Sequence, residues 1–366
     1  MANNMIIIDG NSLLTTHFYG SLPMELRNEK DVEKGNELAK SLLKMAHGRY
    51  VSCVESVLAE ILNLVSNYRC DYAAVVFDKS SKTTFRKKMY DDYKGNRSQK
   101  LFALKDQVGV LHDVLKLIGI QSYWSDTYEA DDLAGSLITK FKSKVNTVYF
   151  VTKDHDWLQL IDRNVKGILL YPTEAAAIDA RGDYCDIPEN NTLDRKQLVR
   201  AYGKQVVLDA EACHGIEGVY PRFIPDKKGL AGDNSDNIPG APGIGPVAAV
   251  ALIQAFRTVE NIYSSLDAAS KVSNGADAFF KQLKPFGLKR NPYNTLIGTE
   301  NSALLSKELA TIKTDIDFPA GLARLKVSYK PDMIKKVIDF YELYEFDEYC
   351  NRHGIIQDMS ASYDFD

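Results

Sequence analysis

The chain has 366 residues, 45% of them hydrophobic and 26% charged, with 45 basic against 49 acidic side chains and a net charge of −4. That length suits two domains with a real buried core, and the charge balance excludes a uniformly basic nucleic-acid coat. The longest apolar runs, Tyr72–Phe77 and Val247–Ile253, are six and seven residues, against the ~20 a membrane helix requires.

Along the chain, the opening MANNMIIIDG lacks the basic segment and long apolar stretch of a secretory signal. Met5–Ile8, Tyr72–Phe77 and Thr147–Val151 are β-branched or aromatic runs that close on or just before an Asp, and each predicts a strand. Val51, Val54, Leu58, Ile61, Leu62 and Val65 fit one helix face, and Leu101, Leu104, Val108, Leu111, Leu115 and Ile118 fit another. Strands this apolar, alternating with helices, predict an α/β fold with a mostly parallel sheet covered on both faces. After Tyr171-Pro172 the texture changes: residues 180–188 are turn-rich, and helical patterns dominate from about 190, broken by Gly and Pro at 232–246. The expected division is a sheet domain over 1–170, a helical region over 190–350 and a frayed acidic tail over 351–366. The five cysteines never fall in CxxC spacing, which points to reduced, intracellular thiols rather than disulfides or zinc.

The carboxylates carry the chemistry. Asp9 and Asp78 follow the first two strand runs, and Asp154 and Asp156 follow the third. In a parallel sheet, residues just past the strand ends converge on the edge where open α/β folds bind ligands. Glu129, Asp131 and Asp132 precede the helical run Leu133–Phe141, and a loop-to-helix junction lets Glu129 and Asp131 converge. One Asp after a strand is commonly a turn residue, and acids in a first helical turn suit the helix dipole. Seven at one sheet edge would repel strongly unless divalent cations neutralised them. A ligand set rich in oxygen and poor in histidine favours Mg²⁺ or Mn²⁺, the metals of two-metal phosphodiester chemistry.

Residues 79–100 hold eight Lys/Arg against two Asp, with Phe85, Tyr90 and Tyr93 interleaved. A charge run is commonly a solvated loop; beside an acidic edge this one fits a phosphate track with stacking platforms. Further on, Gly232-Asp-Asn-Ser-Asp-Asn-Ile-Pro-Gly-Ala-Pro-Gly-Ile-Gly245 leads into the helical run Pro246–Phe256. No Gly-Lys-Ser/Thr follows, so it is no Walker loop. Gly243-Ile-Gly245 before Pro246 puts flexible backbone at a helix N-terminus, where amides can hold a phosphate; a tight turn between packed helices is the plainer reading. Asp233 and Asp236 add a further carboxylate pair.

In order, Ile-Ile-Asp9-Gly-Asn, Val-Phe-Asp78, Phe85-Arg86, Tyr93-Lys94-Gly-Asn-Arg97, Tyr128-Glu-Ala-Asp-Asp132, Thr152-Lys-Asp-His-Asp156 and Gly232-Asp-Asn-Ser-Asp-Asn237 resemble the 5′ nucleases of the flap endonuclease superfamily. The likeness extends to phage 5′–3′ exonucleases and the 5′-nuclease domain of bacterial DNA polymerase I, and spans roughly residues 5–256. It implies a PIN-like core, a gateway or arch at about 79–119, and a helix–hairpin–helix (H3TH) motif at about 226–260. By the resemblance, Asp9, Asp78, Glu129 and Asp131 serve a first metal, while Asp132, Asp154, Asp156, Asp233 and Asp236 surround a second. Lys94 and Arg86 contact the scissile phosphate. Lys82, Tyr93 as a base-stacking ring, Arg97, and the hairpin's Gly243, Ile244 and Gly245 touch DNA, with K⁺ held by hairpin carbonyls. His155 reads as a neighbour of the ligands rather than one of them. The family's Arg about seven residues past the first Asp is replaced here by Thr16-His17.

The expected protein is therefore a monomeric, cytoplasmic (host-cytoplasmic, if phage-encoded) 5′ nuclease with exonuclease and flap endonuclease activity. It uses Mg²⁺ or Mn²⁺, two or more ions, on DNA with a 5′ end, flap or RNA primer. The acidic end, with nine Asp/Glu against three Lys/Arg over 331–366, reads first as a solubilising tail; docking to a basic partner such as a single-strand-binding or replication protein is the alternative. The competing readings are an inactive structure-selective DNA-binding protein and a PIN-like single-strand RNase.

Overall fold

The computed structural model describes residues 3–79, 83–170 and 205–356. Lys82, Cys185, the turn-rich stretch at 180–188 and the end of the tail beyond 356 lie outside them. The chain divides into two compact units, Met1–Lys79 with Ser98–Thr152 and Asp315–Asp366, and Ser80–Arg97 with Lys153–Thr314.

The first unit is built on strands β1 (Asn4–Asp9), β2 (Cys70–Asp78), β3 (Gln121–Ser125) and β4 (Val148–Thr152). They lie in the order β3-β2-β1-β4 and every pairing is parallel, with Ile8 opposite Val75 on one side and Val151 on the other. Met5 through Ile8 are 0% exposed. Successive strand residues point to opposite faces, so both faces of β1 are covered.

Asp9 ends β1 and begins helix α1 (Gly10–Ser21), accepting the Ser12 amide at 2.9 Å as an N-cap. The next position must be glycine, because a Cβ on Gly10 would stand 2.1 Å from the Phe77 ring. Helix α2 (Val54–Asn67) buries Val54, Leu58, Ile61, Leu62 and Val65, adding Val57 and Leu64. Helix α3 (Phe102–Ile118) buries Leu104, Leu111, Leu115 and Ile118 with Gln107 and His112. Helix α4 (Ala130–Phe141) begins at the acidic Tyr128–Asp132 segment.

The second unit holds the antiparallel pair β5 (Val165–Leu170) and β6 (Gln205–Leu208). Its helices include α5 (Ile224–Ala231), α6 (Pro246–Phe256) and α7 (Glu300–Ala310), with α5 packed against both others. The chain then returns to the first unit with α8 (Pro331–Tyr341) and α9 (Tyr344–Arg352).

The compact units thus follow a different line from the division at 1–170 and 190–350. Residues from Asp315 onward join the sheet unit. Phe346 and Cys350 of α9 are 0% exposed, and Glu55 of α2 caps α9 by accepting the Glu345 and Phe346 amides at 2.8 and 3.2 Å. Ile356, inside the expected tail, is also buried. Among the described residues no helix is long and apolar enough to cross a membrane. Cys53, Cys70, Cys213 and Cys350 are free and buried, and burial pushes each thiol up to about 12.

Candidate active site

In the first unit the acidic residues gather where parallel strands end. Asp9 is 6% exposed, and its oxygens are held by short bonds. Oδ1 accepts the Ser12 amide at 2.9 Å, and Oδ2 accepts the Ser12 and Thr152 hydroxyls at 2.6 and 2.7 Å. Burial, with some help from Asp78, pushes its carboxyl from 3.8 to about 6 despite those donors. Asp78 is tied in at both ends: its amide donates to Asn11 Oδ1 at 2.8 Å, and its Oδ1 accepts the Ala130 amide at 2.7 Å. That last bond pins the start of α4 to the end of β2.

Glu129 and Asp132 form a capping box at this helix start. Asp132 Oδ2 accepts the Glu129 amide at 3.1 Å, and the Glu129 carboxylate accepts in return from the backbone of Asp132, satisfying two otherwise orphaned donors. Asp131 Oδ1 accepts the Asp132 amide at 2.7 Å. Carboxylate oxygens of Glu129, Asp131 and Asp132 lie within 4.8 Å of one another. An all-oxygen set this close, beside a carboxyl already pushed toward neutrality, fits a hard divalent cation.

The second unit carries its own acidic group. Asp154 caps the short helical turn His155–Leu160, accepting the Asp156 amide at 2.9 Å. Asp233 opens the loop after α5; its Oδ1 accepts the Ser235 amide and hydroxyl, both at 2.7 Å. Lys228 of α5 bonds Asp156 Oδ1 and, at 2.5 Å, Asp233 Oδ2. Burial opposes ionisation of Asp233, but Lys228 and Ser235 prevail and hold it at about 2. Asp154 is shifted upward by the surrounding protein and by the Asp236 and Asp233 charges, against the pull of Lys228 and Lys94. His155 pairs with Glu217 at 2.6 Å instead of turning to the carboxylates.

The basic segment is clamped to the Gly232–Asn237 loop. The Lys94 amide donates to Asp236 O at 2.8 Å. Asn96 and Asn237 side chains bond Asn234 O and Asp92 O at 2.6 and 2.7 Å. Lys94 Nζ stands 3.6 Å from Asp236 Oδ2, and Arg97 pairs with Oδ1.

Two expected DNA contacts are placed otherwise. Tyr93, read as a stacking ring, is 2% exposed, packed with Ile238, Leu309 and Ala310, and bonds Asp236 through its hydroxyl at 3.1 Å; a ring so enclosed offers no face to a base. Arg86, read as a phosphate contact, is 1% exposed and donates to Leu309 O and Thr311 O at 2.8 and 3.0 Å. Those bonds satisfy carbonyls at the end of α7, where a cation suits the helix dipole.

In the hairpin, Ile244 is 5% exposed, so its side chain belongs to the packing, while Gly245 and Pro246 start α6. Residues to which sequence reasoning gave no role are Ser12, Lys228, and Asn11 and Thr152, which stand in the motifs only as neighbours of Asp9 and Asp154. Ser12 was legible as the third residue after a capping Asp; nothing local marks Lys228 as the partner of a carboxylate 72 positions away.

Residues 4–181 match the family model for the 5'-3' exonuclease N-terminal, resolvase-like domain, and residues 219–332 that for the 5'-3' exonuclease C-terminal SAM fold. The chain is 28% identical over 343 residues to a 5'-3' exonuclease of Buchnera aphidicola subsp. Baizongia pistaciae, covering 94% of this chain and 92% of that protein. It is 28% identical over 352 residues to DNA polymerase I of Bacillus caldotenax, a match over 96% of this chain and 32% of the longer protein. Among solved structures, the phage T5 5'-exonuclease with divalent metal ions (zinc) bound shares the fold, with a TM-score of 0.54 at 16% identity over 96% of this chain and 99% of that one. With its sheet-bearing and helical parts matched in order, the chain belongs to the 5'-3' exonuclease family.

Proposed function

We propose that this protein is a Mg²⁺- or Mn²⁺-dependent 5′ nuclease that hydrolyses DNA as both exonuclease and flap endonuclease, removing 5′ flaps or RNA primers during replication in the cytoplasm. The observation that carries the reading is the first unit's acidic edge, where the Glu129, Asp131 and Asp132 oxygens crowd within 4.8 Å at a helix start bonded to Asp78. A bound divalent cation supplies charge neutralisation at the phosphate and activation of water.

The chain's own residues divide the remaining work. Asp9, Asp78, Glu129 and Asp131 would hold one ion, with Asp132 bracing Glu129. Asp154, Asp156, Asp233 and Asp236 would take a second. Thr152 and Ser12 keep the Asp9 oxygens in one orientation, so little rearrangement accompanies loading. Lys94 would offset charge developing on the phosphoryl oxygens. The amides at the start of α6 would hold the duplex backbone, with K⁺ on hairpin carbonyls, and Val247 beside them is 77% exposed.

A 5′-labelled flap duplex tests the proposal. Purified protein with Mg²⁺ should release a short labelled product, and EDTA should abolish it. Absence of any metal-dependent product would overturn the reading, and efficient cutting of unpaired RNA with indifference to the junction would replace it.

A further inference from the structure

The second unit's acidic group is supplied with protein cations. Lys228, in the last turn of α5 ahead of the loop that carries Asp233, is largely screened from solvent: 17% of its side chain is accessible, against 11% for Asp156 and 14% for Asp233. Its ammonium bonds both carboxylates at once. Asp236 in turn is one carboxylate with two cations, Arg97 on Oδ1 and Lys94 3.6 Å from Oδ2. Three carboxylates here therefore meet three cations of the chain itself.

Lys228 occupies one oxygen of each carboxylate, and a carboxylate has about four lone-pair sites, so Asp156 and Asp233 keep acceptors for a further cation. The fixed ammonium charge beside them opposes a divalent ion all the same. Any ion held by Asp156 and Asp233 must bind against the Lys228 ammonium or move it aside. We propose that Lys228 is the resident counter-cation of this acidic group and sets its low affinity for a divalent ion, so that the two acidic groups of the protein load at different metal concentrations. The inference rests on the proposed metal-dependent function, and it adds a residue that governs when the second ion enters. Its neighbour Lys227 is the natural control, because that ammonium is spent on Glu217, with bonds of 2.7 and 2.9 Å to the carboxylate and carbonyl.

The test is a Mn²⁺ titration of the EDTA-stripped, full-length protein, following free Mn²⁺ by electron paramagnetic resonance and heat by calorimetry. Wild type should show a tighter and a weaker step. Lys228→Gln should tighten the weaker step by at least about tenfold, roughly what removing a nearby like charge is worth, and leave the tighter one unchanged. Lys227→Gln should match wild type. A weaker step that is unchanged or further weakened in Lys228→Gln would overturn the inference while leaving the metal reading intact. No binding to wild type at all would overturn the metal reading, and the inference with it. Should Lys228→Gln not fold, wild type labelled with ¹³C at the lysine ε-carbons answers the same question with Mg²⁺. The Lys228 resonance should move with the second step, and movement with the first step, or none, would overturn the inference.

Discussion

Asp9 shows most plainly how position becomes chemistry. It stops a strand, caps a helix and carries a charge in a place nearly closed to water. Its carboxyl is raised from 3.8 to about 6. Between those values the folded chain holds a proton that the unfolded chain has released, so stability falls as pH rises through that window. Asp9→Asn keeps an acceptor for Ser12 and removes the buried charge. In EDTA at pH 8 it should therefore raise the melting temperature, with a free-energy gain of at most about 3 kcal/mol, and the gain should vanish near pH 4. Thermal denaturation at the two pH values checks this, while Mn²⁺ affinity should fall in the same variant. Lys94 sits in the left-handed region at φ 54°, held there by its amide bond to Asp236 O. Lys94→Ala should lower kcat by about 10²-fold with little change in KM, as loss of charge stabilisation in the transition state requires; single-turnover kinetics on a flap substrate would show it. The sequence marks such residues by type and spacing. It does not distinguish a cation facing solvent from one like Arg86, which is enclosed and spent on carbonyls more than two hundred positions away.

Elements hold these residues still. Periodicity reveals α2, whose buried stripe follows from residues three and four apart. It is silent about how the hairpin is anchored. Gly240, at φ +69°, has the Gly232 amide 2.3 Å from where a Cβ would be, and Ser306 accepts its amide at 2.9 Å while Ser302 donates to its carbonyl at 2.6 Å. Ser306→Ala should leave a buried amide without its acceptor and cost about 1–3 kcal/mol, read from urea denaturation, and should weaken duplex binding. In the first unit, His112 of α3 stacks on Trp124 of β3 at 3.8 Å. Burial and the Lys116 charge lower its pKa to about 4. The folded chain then resists taking a proton that the unfolded chain accepts from about 6.5 downward, so stability should fall as pH drops from 6.5 to 4. Melting curves across that range should show the loss in wild type and a smaller one in His112→Phe.

At the scale of the molecule, a net charge of −4 says little about DNA, because the charges are sorted. Acids collect at the sheet edge and the loop after α5, and the basic segment together with Lys228 of α5 supplies cations to that loop. Lys88 in that segment is exposed, so Lys88→Ala should weaken binding alike across flap sequences and reduce the slope of log affinity against log salt by about one; fluorescence anisotropy at several salt concentrations measures it. By itself the sequence determined three of the strands, the main helix stripes, the parallel α/β class and which carboxylates follow strand ends, because each is written in spacing over a few residues and in ordered motifs; Gln121–Ser125 and Gln205–Leu208 carry no such apolar run. Only the tertiary structure decided that Asp315 onward packs into the sheet unit, that Tyr93 is core, and that Lys228 joins Asp156 to Asp233. Those outcomes depend on which distant groups share a buried volume, where every polar atom must find a partner, and sequence spacing carries no record of that search.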